Sequence, residues 1–198
     1  MKFLAFVDVH LDVAAVKALA VRAQKADIDF LLCAGDLSQF GKGLREALEV
    51  FAACKKPLYM IPGNHETDAL LTEVEKPFPF LHNLHRRAVQ IGSYVFLGYG
   101  EGGFAQEDPA FRKLAREWYG TYNGQNLVLV THGPPYGTKI DVLNQRQVGN
   151  LDFRKFIERM KPKVAICGHL HETAGVMDEI GETKVINPGW DGMVVELP

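Results

Sequence analysis

The side chains in this sequence that could do chemistry are concentrated in five short motifs. In chain order these are Asp8-Val9-His10, Gly35-Asp36, Gly63-Asn64-His65-Glu66, Thr131-His132-Gly133 and Gly168-His169-Leu170-His171. Each motif directly follows an apolar run typical of a β-strand, and together they contain five of the seven histidines. Their carboxylates, amide oxygen and imidazoles form a ligand set suited to a pair of Mn, Fe or Zn ions. Two-metal sites are a common device for phosphoryl chemistry.

Taken singly, most of these motifs have an ordinary structural explanation. An aspartate after a strand, such as Asp8 or Asp36, often forms a turn or caps a helix. A histidine after a buried strand, such as His132, can be a satisfied structural group. A turn at Gly63-Asn64, however, gives no reason for His65-Glu66 to follow. The joint pattern favours a site, because strands deliver residues at their carboxyl ends and separate segments can converge there.

The first half of the chain alternates apolar runs with segments of helical spacing. This order is typical of right-handed βαβ units on a parallel sheet. The runs predict strands over Lys2–Val7, Ile28–Cys33 and Leu58–Ile61. The spacing predicts helices over residues 13–26, 44–54 and 67–76, the last stopped by Pro77.

The second half has a different pattern. Gly92-Ser93 predicts a hairpin between two short strands, 88–91 and 94–97. Asp108-Pro109 predicts a helix start, with Asp as N-cap and Pro at the first helical position. A helix is also expected over Leu151–Met160. Further strands are expected at 127–130 and 164–167, and antiparallel tail strands at 173–180, 183–186 and 193–197. We therefore predict an α/β fold of two sheets packed face to face with helices outside.

Composition restricts the class of protein. The 198 residues are 47% hydrophobic and 23% charged, with a net charge of −2, as in an ordinary globular domain. We expect one domain over residues 1–198, because no linker or internal repeat is evident. No basic tail predicts nucleic-acid or membrane-surface binding, and no apolar run approaches the roughly 20 residues of a membrane span. The start lacks signal-peptide features, and Cys33, Cys54 and Cys167 have no metal-type spacing. Buried reduced thiols and a cytoplasmic location are expected.

The five motifs closely resemble those of the calcineurin-like metallophosphoesterase superfamily. The pattern of that family is D-x-H, G-D, G-N-H-[DE], H and G-H-x-H, and all five blocks are present here in this order, with the resemblance extending from Asp8 to Asn187. It implies a four-layer α/β/β/α sandwich of two mixed sheets flanked by helices, with the site at the strand ends.

The resemblance also implies which residues hold two divalent metal ions. Asp36 would bridge them, together with a water or hydroxide. One ion would be held by Asp8, His10, Asp36 and His171. The other would be held by Asp36, Asn64, His132 and His169.

The implied reaction is hydrolysis of a phosphoester by a metal-bound hydroxide. Metal coordination can lower the pKa of water from 15.7 to roughly 7, which supplies a nucleophile at neutral pH. His65 is in the motif but is not an expected ligand, so it would hydrogen-bond the phosphate and protonate the leaving oxygen. We therefore take His65 and its neighbour Asn64 as the catalytic residues. Glu66 could orient the local backbone, although an acidic residue near a helix N-terminus is an equal alternative.

One departure from the family pattern bears on the substrate. The Ser/Thr protein phosphatases of the superfamily carry G-D-x-x-D-R-G, whereas Gln39 and Phe40 stand here at the D and R positions. Gln39 cannot support His65 as a carboxylate would, and Phe40 cannot grip phosphate. The chain is more similar to the small bacterial and archaeal phosphodiesterase-type members. A small phosphodiester or activated monoester is the expected substrate.

Three segments are candidates for the rim of the site. Residues 133–150 form the longest stretch without a pattern, and either border the site or form a plain surface loop. Residues 98–104 and Trp190 are weaker candidates for the same rim. His82 and His85 lie away from the strand ends and are expected at the surface.

Two alternatives to an enzyme acting on small phosphoesters remain open. The first is a protein-interaction scaffold, since a retromer subunit with this fold retains much of the metal constellation but lacks the catalytic histidine. His65 favours the enzyme over the scaffold. The second is a nuclease, which would require capping domains and DNA-contacting surface that 198 residues at net charge −2 hardly accommodate. A stable nucleic-acid or membrane partner is not expected, and the residues identify neither the substrate nor an oligomeric state.

Overall fold

Short apolar runs, buried on both faces, form most of the strands. The computed structural model describes residues 1–198 and contains two large sheets and a small hairpin. The strands of sheet 1, in spatial order, are β13 (Met193–Glu196), β1 (Lys2–Phe6), β2 (Phe30–Cys33), β3 (Leu58–Met60) and β4 (Leu81–Asn83). β1 to β4 are parallel, and β13 runs antiparallel to β1.

Sheet 2 is mixed. Its strands, in spatial order, are β11 (Met177–Ile180), β12 (Thr183–Ile186), β10 (Val164–Ile166), β7 (Leu127–Thr131), β6 (Tyr94–Tyr99) and β5 (Arg87–Ile91). β12, β10, β7 and β6 are parallel, while β11 and β5 close the edges as antiparallel strands. A hairpin of β8 (Val142–Leu143) and β9 (Arg146–Gln147) lies outside both sheets.

Five helices cover the outer faces of the sheets. They are α1 (Val13–Ala23), α2 (Leu44–Ala52), α3 (Asp68–Glu75), α4 (Pro109–Tyr122) and α5 (Leu151–Met160). The first three share an apolar core with sheet 1, and the last two share one with sheet 2. A third apolar cluster joins the inner faces of the two sheets. The expected α/β/β/α sandwich is confirmed.

Alternation along β1 illustrates how the layers form. Phe3 and Ala5 belong to the cluster between the sheets, while Leu4 and Phe6 belong to the cluster under the helices. This two-residue period is that of a β-strand, and both faces are buried. Phe3 stacks on Phe30 of β2 at a centroid distance of 4.9 Å, which fixes neighbouring strands in the central layer.

Side-chain caps begin four of the helices. Asp12, Thr67, Asp108 and Asn150 each accept hydrogen bonds from backbone N–H groups of the first turn. The predicted start of α4 at Asp108-Pro109 and the hairpin at Gly92-Ser93 are both confirmed. The three cysteines are free and buried, as expected. No helix is long and apolar enough to cross a lipid bilayer.

The tail differs from the sequence-based expectation. Residues 171–173 form a 3₁₀ turn. The strand expected over 173–180 therefore starts at Met177. β12 is antiparallel to β11 but parallel to β10, and β13 crosses to the other sheet to pair with β1. Partner choice depends on the packed layers and is not encoded in the local pattern of each strand.

Candidate metal centre

All five motifs lie at one edge of the sandwich, where β1, β2 and β3 of sheet 1 and β7 and β10 of sheet 2 end. Backbone hydrogen bonds join the loops that follow these strands. Asp8 N donates to Gly35 O at 3.1 Å, and Gly168 N donates to His132 O at 2.8 Å. The seven predicted ligands are thereby brought together.

One group of ligand atoms comes from Asp8, His10 and His171, which lie within 4.8 Å of one another. The Nε2 atoms of His10 and His171 face each other at 3.0 Å. Asp36 Oδ2 lies 3.8 Å from His10 Nε2. These are the four residues expected at the first ion.

A second group surrounds the Asn64 amide oxygen. Asn64 Oδ1 lies 3.0 Å from His132 Nε2 and 2.9 Å from His169 Nδ1. The two imidazole nitrogens are 3.3 Å apart, and Asp36 Oδ2 lies 3.4 Å from His132 Nε2. Asp36 therefore lies between the two groups, at the position expected of a bridging carboxylate.

The residues fit the two divalent cations that the motifs imply. Asp8 Oδ1 is buried and has no hydrogen-bond partner, although buried polar atoms normally find one. Nitrogens and oxygens that can all act as acceptors converge on two shared points, an arrangement that a cation stabilises. Neutral imidazoles with carboxylates and one amide oxygen suit Mn, Fe or Zn.

The pKa values of the two carboxyl groups shift in opposite directions. Burial raises the pKa of Asp8 to about 6, with the carboxylate of Asp36 adding to the effect and His132 opposing it. Burial also acts to raise the pKa of Asp36, but the hydrogen bond and charge of His132 outweigh it and the pKa is lowered. Burial and the neighbouring His132 lower the pKa of His169 to about 4. A neutral imidazole at His169 is the form that binds a metal.

Two glycines allow the loops of Asp36 and Asn64 to approach closely. Gly35 has φ +102°, and a Cβ there would lie 2.6 Å from Gly63 N. A Cβ on Gly63 would lie 2.0 Å from Asp36 Oδ1. The Gly-Asp and Gly-Asn spacings of the motifs thus have a direct steric cause.

The backbone of four expected ligands is in the left-handed region. The φ angles are +56° at Asp8, +46° at His10, +54° at Asp36 and +71° at His169. Such angles are uncommon for residues with a Cβ, and they cluster at functional sites. Here they turn the chain sharply after each strand, so that the side chain faces the metal centre.

His65 lies beside this centre, next to His10. Its backbone N–H donates to Asp36 Oδ1 at 2.8 Å, and its ring centroid is 4.6 Å from that of His10. The ring stacks on Phe40 at 4.1 Å and 18°. Ligand atoms of His65, His10 and Asp36 also fall within 4.8 Å of one another. Phe40, which the sequence marked only as unable to hold phosphate, covers one face of the expected catalytic imidazole.

The buried carboxylate of Glu66 links the loop after β2 to the loop after β3. Its Oε1 accepts from Ser38 N at 2.8 Å and Ser38 Oγ at 2.7 Å. Its Oε2 accepts from Asp36 N at 2.9 Å and Gly63 N at 3.1 Å. α3 begins only at Asp68, after the cap at Thr67. Of the two roles that the sequence leaves open, orienting the local backbone is therefore the one the structure supports.

A cavity of about 400 Å³ opens at the metal centre. It is lined by His10, Asp36, Gln39, Asn64, His65, His169 and His171, and contains no Lys or Arg. No residue of 133–150 lines it. Asp141 instead holds that segment by accepting from the backbone N–H groups of Gly137, Thr138 and Gly149. The expectation that 133–150 borders the site gains no support from this lining.

Three exposed aromatic rings lie near imidazoles of the site. Of the chain's 12 Phe, two Trp and six Tyr, only Phe40, Phe104 and Trp190 are exposed. Each lies against a different imidazole: Phe104 is 4.5 Å from His169 and Trp190 is 6.4 Å from His171, between ring centroids. The weaker rim candidates of the sequence, 98–104 and Trp190, thus include two of these rings.

The expectation that His82 and His85 lie at the surface is wrong for His85. Its side chain is buried, and its Nδ1 accepts from Gly100 N at 2.9 Å. His82 is half-buried and stacks on Tyr59. The misassignment arises because β4 has only three residues, too few to show a period.

Comparison with known proteins agrees with this geometry. Residues 1–173 match the model of a family described as calcineurin-like phosphoesterase. The chain is 32% identical over 181 residues to an uncharacterized protein of Methanocaldococcus jannaschii, covering 85% of this chain and 81% of that one.

Solved structures share the fold at low identity. The structure of TT1561 from Thermus thermophilus gives a TM-score of 0.77 at 17% identity and covers 96% of this chain and 90% of that one. A structure described as a novel archaeal phosphodiesterase gives a TM-score of 0.51 at 16% identity and covers 96% and 84%.

Proposed function

Because the chain belongs to the calcineurin-like phosphoesterase family, we propose that it hydrolyses a phosphodiester with the help of two divalent metal ions. The observation that carries this proposal is the pair of ligand groups sharing Asp36 at one cavity. Manganese, iron and zinc all suit the ligand types.

We assign the ions to the two groups described above. Asp8, His10 and His171 would hold one, Asn64, His132 and His169 the other, and Asp36 both. When bound, the pair supplies the nucleophile at neutral pH and offsets the charge that develops on the phosphoryl oxygens.

His65 is the proposed proton donor to the leaving oxygen. Its Nδ1 is buried without a partner, so we assign the transferred proton to Nε2. Stacking on Phe40 and the contact with His10 fix the plane of its ring. General acid catalysis by a positioned side chain contributes roughly 10²–10⁴-fold to a rate.

The lining of the cavity favours a diester over a monoester. A monoester carries close to two negative charges near neutral pH, whereas a diester carries one. No Lys or Arg lines the cavity to offset the second charge. The structural likeness to an archaeal phosphodiesterase is in keeping with this preference.

The role of His65 can be tested by varying the leaving group. We expect His65→Gln, assayed with Mn²⁺, to lose roughly 10²–10⁴-fold in kcat on a diester that releases an alcohol. The loss should be much smaller on bis(p-nitrophenyl) phosphate, because p-nitrophenolate leaves without a proton. His82→Gln is the matched control, since His82 lies away from the cavity, and should behave as wild type.

Asp36→Asn tests the metal centre itself. We expect it to abolish turnover of both diesters and to lower the bound metal measured by mass spectrometry, because both ions share this carboxylate. If the wild-type protein binds two ions and yet turns over no member of a wide diester panel, the proposed diester hydrolysis is contradicted and the scaffold alternative is favoured. An equal loss on both diesters in His65→Gln would remove the proton-donor role.

A further inference from the structure

A second cavity adjoins the metal centre through a shared residue. It has a volume of about 280 Å³, and we name it the Trp190 pocket. Glycine backbone and six side chains line it: His171, Ala174, Pro188, Trp190, Asp191 and Met193. His171 also lines the catalytic cavity, so this one side chain borders both spaces.

The pocket is built from elements that are fixed to the metal centre. Asn187, fully buried, donates from Nδ2 to Leu170 O and to Thr173 Oγ1, each at 3.1 Å. Val7 N, next to Asp8, donates to Gly189 O at 3.1 Å. The turn carrying Trp190 is therefore tied both to the His169–His171 loop and to the end of β1.

Nothing in the core explains the placement of Trp190. The side chain is 39% exposed, while the other tryptophan, Trp118, is 4% exposed and packs on Phe111 and Phe156. The Trp190 ring lies 6.4 Å from that of His171, a ligand expected at the first ion. The Trp190 ring lines the pocket and offers a face for stacking, and stacking on aromatics is sequence-tolerant for planar bases.

We propose that the Trp190 pocket binds a planar heteroaromatic ring of the substrate, such as a nucleobase, while the phosphate lies at the metal centre. This assignment rests on the proposed function and narrows the substrate to phosphoesters of nucleosides or similar ring-bearing groups. Trp190 supplies the stacking face, and the Asp191 carboxylate offers an acceptor for an amino group on the ring edge. Neither Trp190 nor Asp191 takes part in bond breaking.

Binding of product-like ligands tests the pocket without turnover. We expect the protein with Mn²⁺ to bind adenosine monophosphate at least about fivefold more tightly than ribose 5-phosphate, measured by calorimetry, because only the first carries a base. Trp190→Leu should remove this preference and Trp190→Phe should retain most of it. Tyr122→Leu, at the far end of α4, should keep the wild-type preference.

Fluorescence gives an independent measurement. In Trp118→Phe, Trp190 is the one remaining tryptophan, and the nucleotide but not the sugar phosphate should quench its emission. Equal affinities for the two ligands in wild type, no binding of either, or a preference that survives Trp190→Leu overturns the assignment. Diester turnover without nucleotide preference would refute the pocket alone, whereas preference without diester turnover would refute the catalytic proposal alone.

Discussion

Glu66 holds two site loops together through four hydrogen bonds to one buried carboxylate. Glu66→Gln keeps the shape but places an amide NH₂ against backbone donors. We expect the free energy of unfolding of the metal-free protein to fall by roughly 1–3 kcal/mol, the range for a charge-assisted hydrogen bond or an unsatisfied buried donor. Urea unfolding measures this change.

Glu73→Gln is the control for Glu66, since Glu73 is an exposed residue of α3. Its unfolding curve should match that of wild type within about 0.5 kcal/mol. A Glu66→Gln protein as stable as this control would show that the hydrogen bonds of the carboxylate do not contribute to the free energy of unfolding.

The types and order of the residues predict which side chains come together at the strand ends, but they do not predict which residues pack around those side chains. Asp8, Asp36 and Asn64 were identified because strand ends deliver side chains to one edge of a sheet. The stacking of Phe40 on His65 was not predicted, since Phe40 lies in an irregular turn with φ +51° that no local pattern specifies. Contacts made through space between loops depend on the folded geometry of both.

At the scale of elements, His85 links the two sheets. It follows β4 of sheet 1, and its Nδ1 accepts from Gly100 N, just after β6 of sheet 2. Burial, together with nearby Arg86, lowers the pKa of His85, against the opposing charge of Glu101. The folded state therefore favours the neutral imidazole, whose Nδ1 remains an acceptor.

Stability should consequently fall in acid. Below the unfolded-state pKa of about 6.5, the unfolded chain binds a proton at His85 that the folded chain does not, so unfolding is favoured as the pH drops toward the lowered folded-state pKa. His85→Asn keeps an acceptor but does not titrate. We expect its loss of unfolding free energy between pH 7 and 5 to be shallower than that of wild type, by up to about 1.4 kcal/mol per pH unit.

The matched control for this slope is His82→Asn. His82 lies on β4, is half-buried and stacks on Tyr59. Parallel pH profiles for wild type and His85→Asn, measured by urea unfolding, would refute the assignment to His85.

The sequence predicted the buried central strands correctly and the peripheral ones less well. β1, β2 and β7 are unbroken apolar runs, because both faces of each are covered. β4 has three residues, and β13 pairs across the chain with β1 rather than with its neighbour in sequence. The pairing of β13 depends on which strand of the packed sheets is left without a neighbour, and the local sequence of β13 does not specify that.

At the scale of the molecule, the candidate metal ligands come from both sheets. Asp8, His10, Asp36 and Asn64 follow strands of sheet 1, while His132, His169 and His171 follow strands of sheet 2. The inner faces of these sheets share one apolar cluster. We propose that residues 1–198 form a single domain whose halves are held by this layer and, at one edge, by the ions.

Metal binding should accordingly stabilise the whole fold. A ligand at 100 times its Kd adds about 2.7 kcal/mol per site, which corresponds to a rise in Tm of about 5–10 °C for a chain of this size. Calorimetric scans of the chelator-treated protein with and without Mn²⁺ measure this rise. Asp36→Asn should lose most of it, and Asp27→Asn, an exposed aspartate, should not. A Tm independent of metal in wild type would contradict the proposed centre.

The left-handed torsions at Asp8, His10, Asp36 and His169 have an evolutionary consequence. Each costs a residue with a Cβ about 1–2 kcal/mol relative to the ordinary helical region, a penalty that glycine escapes. Selection for chemistry opposes selection for robustness at these four positions. In a descendant released from hydrolysis we therefore expect glycine to replace His10 and His169 first, because Asp8 and Asp36 also accept backbone hydrogen bonds.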